Sequence, residues 1–579
     1  MIDSSPLLEG RAVSLGIRAQ HLARLRVEHF DLVVVGGGIT GAGIALDAAS
    51  RGLKVALIEK NDFASGTSSR TTKLIHGGLR YLAQHWFRLT REALSERTLL
   101  QQLAPHLVEP IPFLFPIYNR RLEVWRVNTG LWLYDLMAGL RRTKVHKRLD
   151  RAETLRRAPY LKSEGLRASF IYYDARTDDT RFVVEVLKAA VAYGATVANY
   201  VEAERIANEE GRAAGVLARD VFTGETFQVH GSKLVVATGI WLDQILNADQ
   251  AEPRRRVRPA KGVHLVVPRE RLGGDTAVVF PTPDNRLMFV VPWQGATLIG
   301  TTDTDYTGPL DAPRADRSDI QYILNVVNAA FPGVELRDAD VLSVMAGLRP
   351  LIESGATTTA TVSREDRIFE RPDGTIAIAG GKLTTYRRMG RKVVDLVVKR
   401  LREDGVLTKN AKSRTRDVPL GGYPERLRRR FGRLARLTRF IRRRRRAGGS
   451  APSPALVSTD TARRLWRTYG ANWPAVVDLI EQDPSLSQRA LPDLDVLKAE
   501  LVFAVRHEMA QTLLDALARR THLAALDGNQ VRGDARALAD LLAPDLGWDD
   551  AEIERQVQQY DADVDQFSMR PLRPAGTGA

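Results

Sequence analysis

The chain has 579 residues, a net charge of +16 and no cysteine. This length exceeds what one hydrophobic core supports, so we expect at least two packing units. The lack of cysteine excludes disulfides, iron–sulfur clusters, zinc–thiolate sites and a cysteine nucleophile. We expect no metal centre, so any redox chemistry needs a cofactor that the chain holds without sulfur.

No charge-free apolar run reaches the ~18 residues that a membrane-spanning helix needs. The N-terminus lacks a basic region followed by an apolar core, so we expect no signal peptide. If the protein meets a membrane, we expect it to lie on the surface.

A dinucleotide-binding fingerprint follows a basic lead-in. Residues 32–35 predict a buried strand, and Gly36, Gly38 and Gly41 satisfy the GxGxxG pattern. The three glycines permit a tight turn, close approach of the backbone to a pyrophosphate, and close packing of helix on strand. The next predicted strand ends at Glu59, whose carboxylate suits a ribose diol. This pattern alone does not separate FAD from NAD.

A polar segment, residues 62–82, comes directly after the nucleotide unit. It is rich in hydroxyl side chains and also contains His76, Arg80 and Tyr81. At this point in the chain such side chains would lie beside the cofactor's pyrophosphate and ring. An ordinary polar loop is the alternative interpretation.

The remaining elements alternate between α/β and β-rich patterns. Residues 111–140 are apolar and aromatic, and we favour core packing over membrane contact for them. Residues 171–240 alternate helix and strand, whereas residues 262–303 give three strand-rich runs. Strands inserted in this way predict an antiparallel second sheet. Residues 384–402 predict an amphipathic helix, and residues 459–562 predict a separate helical domain.

An arginine-rich segment, residues 426–446, precedes that helical domain. It contains 12 arginines and no acid, and leaving these arginines out of the +16 leaves +4. Its apolar residues share one helical face; they are Leu427, Phe431, Leu434, Leu437 and Ile441. A basic amphipathic helix suits an anionic membrane surface, which we favour. A solvated insertion is the second alternative, and a nucleic-acid contact is the least favoured.

Residues 62–82 closely resemble the FAD-dependent glycerol-3-phosphate dehydrogenases, the respiratory enzymes that reduce quinone. Further matching motifs follow in the expected order: VVATGIW (235–241), IGTTDTDY (299–306), AGLRPL (346–351), VSRED (362–366) and AGGKLTTYR (379–387). Residues 506–527 resemble the family's helical C-terminal domain. Ile240 stands where the family pattern leads us to expect proline, and the resemblance explains neither the N-terminal lead-in nor the arginine-rich segment.

The resemblance implies an α/β fold. An FAD-binding Rossmann-like domain of the glutathione-reductase and amine-oxidase type would carry an interleaved antiparallel-sheet substrate domain and a helical C-terminal domain. The expected units are an N-terminal extension (1–29), the FAD-dependent oxidoreductase domain (30–405), a linker with the arginine-rich insertion (406–458), the helical domain (459–565) and a tail (566–579). Within the second unit, FAD would bind to about 30–110, 171–245 and 340–405, and substrate to about 111–170 and 246–339.

FAD is the cofactor that the resemblance implies. The expected contacts combine the fingerprint, the polar segment and three later segments; they are Gly36, Gly38, Gly41, Glu59, Thr67, Ser68, Ser69, Thr72, Val201, Ala237, Thr238, Gly239, Gly380, Gly381, Thr384 and Thr385. The helix that begins near Thr384 would aim its N–H groups and dipole at the negative charge of the reduced flavin.

The implied reaction oxidises sn-glycerol 3-phosphate to dihydroxyacetone phosphate by hydride transfer to the flavin. A phosphate dianion favours arginine forks and lysine point charges, and the candidates are Arg349, Arg364 and Lys382. The catalytic candidates are His76, Arg80, Tyr81, Arg349 and Lys382. His76 is either the base, or a residue with a structural or flavin-contacting role. His264 is a further pocket candidate.

Membrane quinone is the electron acceptor that the resemblance implies. Two alternatives stay within this fold: a glycerol-3-phosphate oxidase that uses O₂, and another FAD-dependent amine or hydroxy-acid oxidoreductase. A third is a scaffold flavoprotein that binds nucleic acid through the arginine tract, a partner we do not expect. We expect a cytoplasmic protein on the inner face of the cytoplasmic membrane; whether it forms a homodimer is open.

Overall fold

A computed structural model describes residues 14–83, 85–118, 121–139, 144–248, 253–284, 286–355, 362, 365–408, 410–421 and 456–569. The arginine-rich segment and Arg364 lie outside the described residues. The side chain of Arg80 is also outside the description, although its backbone belongs to a short helix, Leu79–Ala83.

A six-stranded sheet forms the nucleotide-binding part of the molecule. In spatial order its strands are Asp366–Glu370, Ile376–Gly380, Leu234–Val236, Leu32–Val35, Val55–Ile58 and Thr196–Ala198. All neighbours pair in parallel except the outermost strand, Asp366–Glu370. The central strands are apolar and buried on both faces, as parallel sheets require.

Three helices cover one face of this sheet: Ile39–Ser50, Asp179–Ala192 and Tyr386–Glu403. Two of them meet at glycines, since a Cβ on Gly390 would lie 2.6 Å from the carbonyl oxygen of Gly43. Any larger residue at this point would push the two helices apart.

A four-stranded sheet covers the other face. Its strands are His29–Phe30, Val201–Glu209, Arg212–Asp220 and Thr226–Gly231. The helix Arg18–Val27 buries Leu22 and Leu25 in the same apolar cluster. The second half of the N-terminal lead-in is therefore packed on the nucleotide-binding part.

A ten-stranded sheet forms the second layer. Its strands are Leu74–Ile75, Glu109–Tyr118, Lys147–Leu149, Leu166–Arg176, Val257–Pro268, Ala277–Pro281, Leu287–Trp293, Ala296–Gly300, Thr304–Asp305 and Ser343–Ile352. All pairs are antiparallel except Ala277–Pro281 with Glu109–Tyr118. Five helices lie between or next to these strands in the sequence: Phe87–Leu103, Arg121–Ala138, Arg151–Arg157, Leu242–Asn247 and Arg317–Ala330.

The C-terminal residues form a helical domain. Its α-helices are Thr459–Tyr469, Trp473–Gln482, Lys498–Glu508, Leu523–Leu546 and Asp550–Val564, joined by a hairpin (Arg489–Leu491 and Leu494–Leu497) and a π-helical turn (Asp515–Arg520). Its main apolar cluster includes Val266 and Leu298 of the ten-stranded sheet, so the domain is fastened to the body by a shared core. The predicted α/β fold with a helical C-terminal domain is confirmed.

The helix Arg121–Ala138 differs from the expectation of simple core packing. Leu131 and Tyr134 are buried, but Trp125, Trp132 and Leu136 are 65%, 56% and 73% exposed. Only one face of this helix therefore contributes to the core. Across the described ranges, no helix combines the length and apolarity needed to cross a membrane.

Candidate active site

A cavity of about 180 Å³ lies at the carboxyl ends of the central parallel strands. Ligands of open α/β sheets bind at this edge. The wall is built by the turns that follow Leu32–Val35, Val55–Ile58 and Leu234–Val236; among the predicted cofactor residues it includes Gly36, Gly38, Glu59, Thr67, Ser68, Ala237, Thr238, Gly239, Gly380 and Gly381. The folded chain thus brings together five separate segments.

The fingerprint glycines have distinct packing roles. Gly36 has φ +113°, and a Cβ there would lie 2.6 Å from the carbonyl oxygen of Ala237. Gly38 precedes the helix Ile39–Ser50, whose N-terminus faces the cavity. Gly41 does not line the cavity, but a Cβ there would overlap the Gly36 carbonyl. The motif therefore fixes both the turn and the helix beneath it.

Glu59 ends the second strand of the fingerprint. Its carboxylate accepts hydrogen bonds from the backbone N–H of Gly37, at 2.6 Å, and of Asn61, at 3.0 Å. Burial raises the pKa of Glu59, opposed by these two hydrogen bonds. The side chain is thus held in the cavity wall, where it could accept from a ribose hydroxyl.

The hydroxyl-rich segment closes over the fingerprint turn. Ser68 Oγ accepts a hydrogen bond of 3.0 Å from the N–H of Ile39, and Thr67 Oγ1 donates to the carbonyl of Leu348 at 2.6 Å. Ser69 instead donates to the Gly66 carbonyl at 3.2 Å and does not line the cavity. Six residues of the segment line the cavity: Ala64, Ser65, Gly66, Thr67, Ser68 and Thr71.

The residues present fit a bound dinucleotide. Thr238 and Trp241 belong to the cavity wall, and their polar atoms Oγ1 and Nε1 are buried. Within the described part of the chain, neither atom has a hydrogen-bond partner. Buried polar atoms are rarely left unpaired, so this wall is suited to a polar ligand. Val201 and Thr385 do not line the cavity: the Val201 N–H donates to the Glu59 carbonyl, and Thr385 is buried behind Lys382.

A second cavity of about 320 Å³ adjoins the first. The two share several wall residues: Thr67, Thr71, Pro350, Gly380, Gly381, Lys382 and Leu383. Of the predicted catalytic residues, this second cavity gathers His76, Tyr81, Arg349 and Lys382. It also receives two predicted cofactor residues, Thr72 and Thr384. The second cavity, which holds these cations and His76, therefore opens onto the first, which holds the fingerprint glycines.

The orientation of the Arg349 guanidinium is fixed by residues 301–303, which connect two strands of the ten-stranded sheet. Its Nη1 pairs with Asp303 Oδ1 at 3.2 Å, and its Nη2 donates to the Thr302 carbonyl and Thr301 Oγ1, each at 3.2 Å. A Cβ on Gly262 would collide with this guanidinium. The glycine on the neighbouring strand leaves the space that the arginine needs to reach the cavity.

Lys382 and Tyr81 lie against each other. The Lys382 Nζ is 3.7 Å from the centroid of the Tyr81 ring, a cation–π arrangement. The same ring stacks on Trp86 with centroids 5.9 Å apart and on His76 with centroids 6.3 Å apart. An ammonium and an imidazole thus flank one aromatic side chain at the cavity wall.

The surroundings of His76 favour its neutral form. Burial lowers its pKa below the ordinary 6.5, and the charges of Lys382 and Arg97 lower it further against the opposing effect of Asp174. The Asp174 carboxylate accepts from Arg97 Nη1 at 2.5 Å and from the Gly77 N–H at 3.0 Å. A neutral imidazole in this place is able to accept a proton.

Sequence reasoning did not select two cations in the second cavity, Arg70 and Arg286. Arg286 directly precedes the strand Leu287–Trp293 and has no motif around it, and Arg70 lies within the hydroxyl-rich segment without a distinguishing spacing. His264 also lines this cavity, where its Nε2 lies 2.9 Å from Thr72 Oγ1. Burial lowers the pKa of His264 to about 3, with smaller contributions from Arg349 and Lys73.

Comparison with known proteins identifies the class. Residues 31–396 match the model of the FAD-dependent oxidoreductase family, and residues 413–553 match the C-terminal domain of alpha-glycerophosphate oxidase. The chain is thus an FAD-dependent oxidoreductase, and the predicted FAD cofactor is confirmed. A glycine oxidase structure from Geobacillus kaustophilus, with TM-score 0.50 and 24% identity over 64% of this chain and 95% of that one, shares the fold.

Nearer relatives cover almost the whole chain. The aerobic glycerol-3-phosphate dehydrogenase of Bacillus subtilis is 37% identical over 92% of this chain and 94% of its own. Glycerol-3-phosphate dehydrogenase 2 of Mycobacterium tuberculosis is 40% identical over 97% and 92%. The structure of a Bacillus halodurans glycerol-3-phosphate dehydrogenase complexed with FAD matches with TM-score 0.77 and 33% identity, covering 96% and 98%. The chain belongs to the family of FAD-dependent glycerol-3-phosphate dehydrogenases, as its sequence motifs predict.

Proposed function

We propose that this protein oxidises sn-glycerol 3-phosphate to dihydroxyacetone phosphate and passes the electrons to quinone at a membrane surface. One observation carries the substrate assignment: Arg349 and Lys382 share the wall of a cavity with His76, and that cavity adjoins the cofactor cavity. Two cations beside a neutral base suit a phosphorylated alcohol. The three dehydrogenases named above carry this substrate in their names.

In this proposal each residue has a defined task. The Arg349 fork binds phosphate oxygens, because Asp303 and the Thr302 carbonyl already fix its plane. Lys382 supplies a second positive charge, and His76 accepts the proton of the C2 hydroxyl. Bound FAD would supply the acceptor for the hydride from C2. Arg80 and Arg364 remain candidates from the sequence for substrate contacts.

The membrane part of the proposal is supported by the helix Arg121–Ala138. Its exposed apolar residues follow one helical face; they are Leu122, Trp125, Trp132, Leu133 and Leu136. Exposed basic residues on the same helix and on nearby segments suit anionic headgroups; they are Arg88, Arg91, Arg126, Lys144, Lys147 and Arg148. We propose that this face docks on an anionic lipid bilayer.

The same helix stands next to the second cavity. Its buried residue Tyr134 packs in one apolar cluster with Phe113 and Tyr172, which are wall residues of that cavity. A bilayer docked on the outer face would thus lie one helix thickness from the substrate chamber. This arrangement favours a lipid-soluble acceptor over a water-soluble one, and it needs no contribution from the arginine-rich segment.

An acceptor competition tests this function. The purified protein is given sn-glycerol 3-phosphate in air-saturated buffer with vesicles that contain a quinone, and both quinone reduction and hydrogen peroxide are measured. We expect most electrons to reach quinone. Peroxide as the main product would instead favour the oxidase alternative. Turnover of glycine or proline without turnover of glycerol 3-phosphate would favour an amine-oxidising function.

A further inference from the structure

Asp62 connects the cofactor loop to the C-terminal domain. It follows Glu59 by three residues, and its side chain is fully buried. Its carboxylate accepts hydrogen bonds from Arg519 Nε at 2.6 Å and from Arg520 Nη1 and Nη2 at 2.7 and 2.8 Å. A further bond of 3.2 Å comes from Asn199 Nδ2. Arg519 and Arg520 belong to the π-helical turn Asp515–Arg520 of the helical domain.

The residues that follow Asp62 form part of the cofactor cavity. Ala64, Ser65 and Gly66 line its wall, and the Ala64 N–H donates to the Gly37 carbonyl at 3.2 Å. The turn itself begins at Asp62, whose carbonyl accepts from the Ser65 N–H at 3.1 Å. A shift of Asp62 would therefore move the wall and its contact with the fingerprint turn together.

The two arginines are fixed from their own side. Arg520 donates through Nε and Nη2 to the carbonyl of Glu508 at 3.2 and 2.9 Å. Arg519 pairs with Asp515, whose carboxylate also accepts from the hydroxyl of Tyr200 at 2.7 Å. Neither arginine lines the cofactor cavity. Their direct link to the residues before the cavity wall is the carboxylate of Asp62.

The contact between Asp62 and the helical domain consists of buried charges that balance one another. Two carboxylates, Asp62 and Asp515, face two guanidinium groups in a buried place. Burial raises the pKa of Asp62, but the charges of Arg520 and Arg519 overcome this effect and hold it below the ordinary value. Removing one partner leaves a buried charge uncompensated, which is far more costly than losing an exposed pair.

We propose that Arg520 is a positioning residue for FAD: the C-terminal domain holds the cofactor loop in its binding conformation through the Arg520–Asp62 ion pair. The helical domain would then contribute to cofactor retention without touching the cofactor. This inference rests on FAD binding alone and does not depend on the identity of the substrate or of the electron acceptor.

The test compares two buried arginines, each of which forms an ion pair between the helical domain and the rest of the protein. Arg520→Met breaks the proposed junction. Arg181→Met is the matched control, because Arg181 is equally buried and pairs with the side-chain carboxylate of Glu508, whereas Arg520 bonds the Glu508 backbone carbonyl and the Asp62 carboxylate. FAD affinity is measured by titrating apoprotein with FAD and following flavin fluorescence, and the apoprotein's thermal midpoint is measured in parallel.

We expect Arg520→Met to weaken FAD binding about tenfold or more, while Arg181→Met lowers the thermal midpoint and changes FAD affinity less than about threefold. Arg520→Lys, which keeps the charge but loses the fork, should fall between wild type and Arg520→Met; it also replaces Arg520→Met if that variant does not fold. In the double variant Arg520→Met with Asp62→Asn, the loss of FAD affinity should be smaller than the product of the losses in the two single variants. Equal effects of Arg520→Met and Arg181→Met on FAD affinity would overturn the proposal. Full FAD affinity in both single variants, Arg520→Lys and Asp62→Asn, would overturn it as well.

Discussion

The ammonium of Lys382 lies over the face of the Tyr81 ring, with Nζ 3.7 Å from its centroid. A partly desolvated cation–π pair contributes about 0.5–2 kcal/mol. Because Lys382 carries one of the two positive charges that we assign to phosphate binding, the ring of Tyr81 positions that charge.

Replacing the ring should therefore matter more than removing its hydroxyl. We expect Tyr81→Phe to keep kcat/KM for glycerol 3-phosphate within about threefold of wild type, and Tyr81→Leu to lower it by about three- to thirtyfold. Steady-state kinetics with a soluble dye acceptor measure both. If the phenylalanine variant is as impaired as the leucine variant, the hydroxyl is the important group and the cation–π account is wrong.

Arg349 is expected to provide the main phosphate contact. A hydrogen bond to a charged group contributes about 1.5–3 kcal/mol, so Arg349→Met should raise KM by about tenfold to a hundredfold, and Arg349→Lys should recover only part of it because lysine lacks the fork. The control is Arg258→Met, which removes a partly exposed arginine that pairs with Asp305 and lies on the strand beside that of Arg349. Similar KM values for the two methionine variants would remove Arg349 from the phosphate site.

His76 is expected to control the acid limb of the pH profile. Burial lowers its pKa below 6.5, so the neutral, proton-accepting form should persist to lower pH than for a free histidine. We predict that kcat/KM falls only below pH 6.5. His76→Gln should lose about 10²–10⁴-fold in rate and the acid limb with it.

The matched control for His76 is His29→Gln, because His29 is exposed on the four-stranded sheet. It should leave both rate and profile unchanged. An acid limb that persists in His76→Gln would assign the titration to another group, and His264 would then be the next residue to replace.

The exposed face of the helix Arg121–Ala138 should bind anionic membranes. We expect Trp125→Glu with Trp132→Glu to weaken sedimentation with vesicles containing phosphatidylglycerol by about tenfold or more, since two large apolar side chains leave the interface and two like charges are added. Activity with a soluble dye should not change. Phe222→Glu, an exposed apolar residue of the nucleotide-binding part, is the control. Unchanged sedimentation of the double variant would point to the arginine-rich segment instead.

Local patterns alone predict several residues that line the first cavity. Gly36, Gly38 and Glu59 follow from spacing that one strand–turn–helix–strand unit imposes, whatever the rest of the chain does. The prediction of Arg349 and Lys382 needed the family resemblance, because they lie in separate segments whose meeting in the second cavity depends on two sheets. Arg286 has no local signal, and only the folded sheet brings it to the cavity.

Two features were beyond sequence reasoning for different reasons. The helix Arg121–Ala138 is apolar on both sides, so periodicity could not separate its buried Tyr134 from its exposed Trp132. The pair of Asp62 and Arg520 is separated by 458 residues and joins two structural units. No spacing rule relates positions so far apart, and each residue alone resembles an ordinary surface charge.

The most direct test of the central claim is anaerobic mixing of the FAD-loaded protein with sn-glycerol 3-phosphate while the flavin absorption near ~450 nm is followed. We predict rapid bleaching of this band with stoichiometric dihydroxyacetone phosphate, and slow bleaching at the same substrate concentration in Arg349→Met. A protein that carries FAD and does not bleach would contradict the proposed substrate, although the fold and the cofactor site would stand.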